Sequence, residues 1–370
     1  MQNYVDYLGS FFCNDLIALS SLLLALSFLS TFKMIPYIAK FSLKYNLTVK
    51  PNARSSHYKR IPQLGGLGIS TPTLIFCLVV GSIILNDGDY SNLLAFVICL
   101  VILIAVGLKD DIIGLPAWVK LMSQLIASLF FIIVTGERID NFYGIFGLYE
   151  LPIIHSYLFT LFTFVIIINS YNLIDGIDGL AGTLAVLILT CFLLYFLETK
   201  SAFEVMVSSS LIGGLFAFLR YNFSKGKSKM FMGDVGSLVI GFLLAVMAVG
   251  VLSNGTIDNL NYTNKPVFVL ALFTLPFLDT LRVFFIRALS GISPFVADKN
   301  HIHHRLFKYG LTHPQITTVL IIYSVLVIVS SVVFKNHNIH IHLLLTLLVS
   351  IILLLIILLL FYLIKKTKKE

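Results

Sequence analysis

The sequence predicts an all-α polytopic membrane protein of about 11 transmembrane helices, with its N-terminus outside and its C-terminus cytoplasmic. Three observations carry this expectation. Of the 370 residues, 58% are AVILMFWYC and only 12% are charged. A soluble domain is about 45–50% apolar with glycine counted, and about 25% charged. The apolar residues gather into about eleven runs close to the ~20 residues that cross a bilayer. Finally, the 26 Lys and Arg separate strongly by side once those runs alternate across a membrane. This composition excludes a soluble enzyme, a disordered chain and a fibrous protein.

The runs have approximate cores at 15–36, 66–86, 91–109, 116–135, 154–174, 180–197, 202–220, 236–252, 266–288, 315–334 and 341–364. They leave only loops between them, so the chain is read as one integral membrane domain over 1–370. Met1 to Asn14 carry no Lys or Arg, and the run that follows is too long for a signal core, so no cleavable signal peptide is expected. With the N-terminus outside, the external loops hold only Arg138, Lys200, Lys265 and Lys335. The basic tail from Lys365 to Lys369 then lies inside, as the positive-inside rule requires. The external stretch 136–153 reads as a small hairpin around Gly144 and Gly147, and 291–313 as a cytoplasmic histidine loop. Cys13, Cys77, Cys99 and Cys191 form no CxxC pattern and read as apolar filler.

On this arrangement ten of the 18 acidic residues lie outside. Those inside, apart from Glu370, fall in short polar signatures at the ends of the runs. Charge at such positions marks a site or an ion pathway. The first signature, Arg54-Ser-Ser-His57-Tyr-Lys59-Arg60, leads through Pro62, Gly65 and Gly66 into the second run. It suits anion binding at a helix N-terminus, although topogenic charge would look the same. Gly107-Leu-Lys-Asp110-Asp111 closes the third run. Adjacent carboxylates raise each other's pKa, a cost that a divalent cation or a proton removes and that a solvated helix end tolerates. Lys120 and Gln124, one turn apart, are placed to line the same face.

Asn172, Asp175 and Asp178 follow the fifth run at spacings of three, which puts them on one face if the segment is helical. Gly176, Gly179 and Gly182 between them admit a close ligand. Phe231-Met-Gly-Asp234 precedes the eighth run, with Asp234 as a metal ligand or an N-cap and Phe231 as a stacking or membrane-facing ring. After the ninth run come His301, His303, His304 and Arg305. No cysteine lies nearby and the partner carboxylates suit a hard ion, so phosphate or sugar contact is favoured over a zinc site. His155, His313, His337, His340 and His342 are assigned no role.

Taken together, all of the signatures fall at one membrane face. Carboxylates alone would repel a phosphate-bearing substrate. Mg²⁺, an oxygen-seeking ion that shares substrate phosphates, resolves the conflict, and the basic groups supply the remaining neutralisation. This is the pattern of phosphoryl transfer. A secondary transporter would also place carboxylates in a membrane, but the chain has no repeated half and its carboxylates sit at run ends.

The four motifs GLKDD, NSYNLIDGIDGLAG, FMGDVGSL and DKNHIHHR, in this order, resemble the polyprenyl-phosphate N-acetylhexosamine-1-phosphate transferases, also called glycosyltransferase family 4. The resemblance runs from about Arg54 to Arg305. It implies transfer of a HexNAc-1-phosphate, most simply GlcNAc-1-phosphate, from a UDP-sugar to undecaprenyl phosphate with release of UMP, starting a cell-surface polysaccharide. UDP-MurNAc-pentapeptide or another UDP-HexNAc is the alternative donor. It also implies Mg²⁺, with Mn²⁺ as the alternative; a multi-pass inner (plasma) membrane location with a cytoplasmic site; membrane lipid but no nucleic acid as partner; and a homodimer as an admissible assembly.

By the same resemblance Asp110, Asp111, Asp175 and Asp178 are the catalytic carboxylates, and Asp234 with Asp111 holds the metal. Arg54, His57, Lys120, Asn172, Phe231, His301, His303, His304 and Arg305 bind substrate. Three departures stand out. Gly114 stands where a DDxxD pattern has its third Asp, HIHH replaces the HHH of phospho-MurNAc-pentapeptide transferases, and Tyr58-Lys59-Arg60 differs from the commoner basic stretch. The implied chemistry is direct displacement at the donor's β-phosphorus, with a two-step route through a phospho-aspartate as the alternative.

Overall fold

The computed structural model describes residues 15–49, 61–85, 87–226, 228–253, 264–291 and 301–367. The described chain is helical almost throughout. Its helices are α1 (Leu16–Lys44), α2 (Gly65–Ile84), α3 (Asp87–Ile113), α4 (Ala117–Thr135), α5 (Ile153–Ile174), α6 (Leu180–Thr199), α7 (Ala202–Asn222), α8 (Gly233–Ser253), α9 (Lys265–Leu272), α10 (Thr274–Leu289), α11 (Ile302–Lys308), α12 (His313–Val333) and α13 (Ile339–Thr367). The extended elements are β1 (Thr48–Val49) and β2 (Ile61–Pro62), paired antiparallel with Thr48 opposite Pro62. Among the described residues ten helices are long and apolar enough to cross a membrane.

Two helices form the centre. In α8 every residue from Val235 to Leu252 is buried, as expected of a helix that is apolar on all sides. Helix α7 is nearly as enclosed. In a bilayer, association relies on close packing at small residues rather than on removal of water. Accordingly α1 crosses α7 where Gly213 faces the Leu24 backbone. Helix α2 meets α8 where Gly66 lies against Gly236; a Cβ on Gly66 would be 2.1 Å from the Gly236 nitrogen. The outer faces of α1, α4 and α13 present exposed Leu, Ile, Val and Phe, which suits lipid.

The run expected over 266–288 is not one straight span. It is α9 and α10, bent by 70° at Phe273. Pro276 is the physical reason: it has no N–H for the Leu272 carbonyl and its ring collides with that turn. The pair nevertheless traverses the bundle. Just before α9, Asn264 donates to the carbonyls of Lys335 (3.2 Å) and His337 (3.0 Å) beyond the end of α12. In α10, Asp279 faces His301 at the opposite end.

The bent pair thus runs from the Lys335–His337 end of the bundle to the His301 end. At the far end of the bundle, residues 139–151 fold back on themselves. Phe142 donates to Tyr149, Leu151 donates to Asp140, and the Tyr143 hydroxyl donates to Leu252 at the end of α8. At the near end, Lys365 in the last turns of α13 donates to the Lys308 carbonyl. The beginning of α1 and the end of α13 therefore lie at opposite ends.

Candidate active site

The near end gathers the C-termini of α3, α5 and α7 and the N-termini of α4, α6, α8 and α12. Its first cluster begins at the end of α3. Asp111 Oδ1 accepts the Asp234 N–H at 2.9 Å, and Oδ2 accepts the Val235 N–H at 3.2 Å. An acceptor there satisfies amides that a helix start leaves unpaired, and negative charge suits that end of the dipole. Asp111 is therefore the cap of α8, supplied by another helix. The Gly233 turn, at φ +75°, has room for this only because it lacks a Cβ: one placed there would be 2.0 Å from the Gln63 carbonyl and 2.7 Å from the Asp111 carboxylate. The Gln63 amide donates to the Asp111 carbonyl. Phe231 and Met232 are zipped to residues 62–66 by the bonds Phe231 N–H to Pro62 (2.8 Å), Gly65 N–H to Phe231 (3.0 Å) and Gly66 N–H to Met232 (2.7 Å).

Asp110 points to the other side of the same helix end. It lies 2.7 Å from Lys120 Nζ and accepts the Leu115 N–H at 2.5 Å. Lys120 also reaches Asp234 Oδ1 at 3.4 Å, so one ammonium bridges two carboxylates. Asn172 Nδ2 donates to the same Asp234 oxygen (3.2 Å) and to Ser237 Oγ (2.6 Å). One turn deeper, Asn169 donates to Gln124 at 2.7 Å, tying α5 to α4 beneath the site.

The turn between α5 and α6 is the hub. Asp175 ends α5, and its carboxylate has no hydrogen-bond donor among the described residues. Burial and the neighbouring carboxylates of Asp234, Asp111 and Asp178 push its carboxyl well above the usual carboxylate range. Asp178 is the opposite case. Burial disfavours its charge, but the hydrogen bonds and charges of His313 and Lys229 prevail and hold its carboxyl below the usual range. Lys229 Nζ is 2.6 Å from Asp178 Oδ2 and His313 Nδ1 is 2.9 Å from it. Thr317 Oγ1 donates to the Asp178 carbonyl at 3.0 Å. Lys229 also lies 5.7 Å from the centre of the half-buried Phe231 ring. Gly179 at φ +81° donates its N–H to Asn222 Oδ1 at 2.5 Å, and Asn222 donates to the Met230 carbonyl at 2.8 Å.

The third cluster comes from α11. His301 and His303 are buried, and their rings stack at 5.7 Å with planes 8° apart. His304 lies 4.4 Å from His303, ring centre to ring centre. Burial, reinforced by His304, pushes the His303 imidazole down to about 3, so this ring is neutral at pH 7. Arg305 is half-buried on the same short helix.

The structure thus brings together Asp110, Asp111, Lys120, Asn172, Asp175 and Asp234 in one cluster. Asp178 and Phe231 stand on its flank, and His301, His303, His304 and Arg305 lie across the α5–α6 turn. Arg54 and His57 lie outside the described residues, as do residues 292–300 of the loop 291–313. His313, assigned no role by sequence, belongs to the site. Distance along the chain from the histidine loop hid it, and the start of α12 folds back beneath Asp178. Lys229, Asn222 and Asp279 are likewise contributed by tertiary structure. The only local signal for Lys229 was its place two residues before Phe231.

For a divalent cation the fit rests on the donor set. Among the described residues no three His, Cys, Asp or Glu groups form a ready-made cage. Mg²⁺ does not require one: it usually takes one or two carboxylates, waters and substrate phosphates. Asp175, undonated and crowded by like charge, and Asp234, held by Asn172, are hard oxygen donors of that kind. Asp111 has each oxygen engaged by an α8 amide.

The profile of the family described as "Glycosyl transferase family 4" matches residues 93–252, which hold every carboxylate of the first cluster. The chain is 30% identical over 322 residues to a probable undecaprenyl-phosphate N-acetylglucosaminyl 1-phosphate transferase of Bacillus subtilis, covering 86% of this chain and 85% of the relative. It is 27% identical to an undecaprenyl-phosphate alpha-N-acetylglucosaminyl 1-phosphate transferase of Salmonella typhi, over 78% of this chain and 76% of that one. It is 29% identical to a decaprenyl-phosphate N-acetylglucosaminephosphotransferase of Mycolicibacterium smegmatis, over 78% and 74%. With its carboxylates, amides and lysine gathered at one end of a bundle of membrane-length helices, and with relatives that align along most of their length, the chain belongs to glycosyl transferase family 4.

Proposed function

We propose that this protein transfers GlcNAc-1-phosphate from UDP-GlcNAc to undecaprenyl phosphate, releasing UMP, at the cytoplasmic face of the plasma membrane. The observation that carries the reading is the Asp110–Lys120–Asp234–Asn172 network beside the undonated Asp175. It is a charged oxygen-rich cradle at a helix-end surface, where a soluble nucleotide and a lipid phosphate can both arrive. The names of the relatives support the same transferred group and, for the Bacillus subtilis and Salmonella typhi proteins, the same acceptor. A transporter is not favoured, because these carboxylates sit at helix ends rather than along a central path.

In this reaction an acceptor phosphate oxygen attacks the donor's β-phosphorus. A new P–O bond forms to the lipid phosphate, the anhydride bond breaks, and UMP carries away the bridging oxygen. The acceptor's second pKa is about 6, so it is largely ionised at pH 7 and needs little help from a base. Asp110, bound to Lys120, is not required to remove a proton. Lys120 instead offsets charge on the incoming phosphates. Asp175 and Asp234 would hold Mg²⁺, which supplies charge neutralisation to the diphosphate. Asn172 orients Asp234. Lys229 and His313 keep Asp178 ionised and fixed, which sets the turn that carries Asp175. Neutral His303 packs against the turn at Gly176 without adding charge, and the half-buried His304 and Arg305 beside it would meet the sugar phosphate.

The test is a donor panel. Purified full-length protein with undecaprenyl phosphate and Mg²⁺ is given UDP-GlcNAc, UDP-GalNAc and UDP-MurNAc-pentapeptide. UMP and lipid-linked sugar should appear together and fastest with UDP-GlcNAc. Preference for another donor overturns the sugar assignment, and absence of UMP with every donor overturns the reaction.

A further inference from the structure

Asp279 belongs to none of the signatures that carry the family resemblance, yet its carboxylate is buried, at 2% exposure. Oδ1 accepts the Ile302 N–H at 2.8 Å and Arg282 Nη2 at 3.1 Å, and Oδ2 faces His301 Nδ1 at 3.0 Å. Helix α11 is seven residues long, and its own N-cap, His301, makes no side-chain cap bond. A helix that short is not stable alone in water. Its cap and its starting point come from α10, through Asp279.

The consequence reaches the α5–α6 turn. With His301 and Ile302 held, the His303 ring lies against Gly176, so close that a Cβ there would be 2.4 Å from His303 Nε2. That nitrogen is buried and has no hydrogen-bond partner among the described residues. An unpaired buried polar atom is costly. The ring is therefore kept in place by its surroundings rather than by a bond of its own. Gly176 follows Asp175 directly and lies two residues before Asp178.

We propose that Asp279 is a positioning residue: it fixes the start of α11 through His301 and the Ile302 amide, and α11, through His303 on Gly176, sets the backbone of the Asp175–Asp178 turn. The kinetic part of this inference rests on the transferase reading above. The structural part does not.

The test uses full-length protein in detergent, with Asp279→Ala and Asp279→Asn compared to wild type by two readouts. In hydrogen exchange, peptides covering 301–308 and 174–180 should both exchange faster in the variants, while α7 and α8 keep their protection. In UMP release, kcat/KM should fall by roughly 10–100-fold, as is typical when an outer partner of a site is lost. Gly176→Ala should cost less in the Asp279→Ala background than in wild type, because both changes disturb one contact.

Faster exchange confined to 301–308, loss of protection throughout the bundle, or strictly additive costs overturns the proposal. If Asp279→Ala does not fold, Asp279→Asn keeps an acceptor oxygen for Ile302 and carries both readouts. If wild type releases no UMP from any UDP-sugar, the transferase reading fails, and the exchange data still decide on Asp279.

Discussion

The Asp111 carboxylate holds the start of the helix that carries Asp234. Its two oxygens take the N–H groups of Asp234 at 2.9 Å and Val235 at 3.2 Å. A side chain at the end of α3 thereby fixes the backbone beneath a carboxylate on α8, and it follows that the two members of the Asp110–Asp111 pair have separate duties. Asp111→Asn replaces one acceptor by an NH₂ that faces an amide N–H. Loss of an N-cap costs about 0.5–2 kcal/mol. The melting temperature in detergent should therefore fall, and UMP release should fall with it because the Asp234 backbone shifts. Retention of both would show that α8 does not need the cap.

His313 holds Asp178 from the start of α12, at 2.9 Å. His313→Ala should lower kcat/KM by freeing the turn that carries Asp175. In a double-mutant cycle with Asp178→Asn the two changes should be coupled by about 0.5–3 kcal/mol, as contacting residues are. Additive effects would place His313 outside the site.

His303 should make stability more sensitive to mild acidification, against the opposite contribution of Asp175, whose carboxyl takes up its proton in the fold at higher pH than in the unfolded chain. His303 titrates at about 3 in the folded chain and near 6.5 in an unconstrained one. Between those values the unfolded chain binds the extra proton, so stability is lost as pH drops below about 6.5. Asp178, depressed in the fold, adds a loss in the same direction once the pH falls towards the ordinary Asp value of about 4. Melting curves from about pH 7 to about pH 5 should lose more stability, or gain less, in wild type than in His303→Asn. A variant with the wild-type slope would assign the decline to another group.

Much of this was legible in the sequence because composition and spacing are local properties. Ten of the eleven apolar runs became continuous helices, since each is long enough to span and has its polar residues at the ends. The run at 266–288 kept the right composition, but Pro276 bent it, and hydropathy does not register a missing N–H. Asp110, Asp111, Asp175 and Asp234 were visible as clustered carboxylates at run ends. The duty of Asp111 was not, because capping depends on which helix end lies opposite. His313, Lys229, Asn222 and Asp279 each act on residues far away in the chain. His313 and Asp178 are 135 positions apart, and no local pattern reports such a contact.

On the reaction proposed above, the Asp234 cradle performs Mg²⁺-assisted transfer between a UDP-sugar and a lipid phosphate. Its most direct test is UMP release from UDP-GlcNAc by the purified full-length protein with undecaprenyl phosphate, comparing wild type with Asp234→Ala, with and without a chelator. UMP should form from wild type only when both acceptor and divalent cation are present, and Asp234→Ala should lose at least about 100-fold, as for removal of one principal charge-stabilising group. UMP release that persists in the chelator or in Asp234→Ala would contradict it.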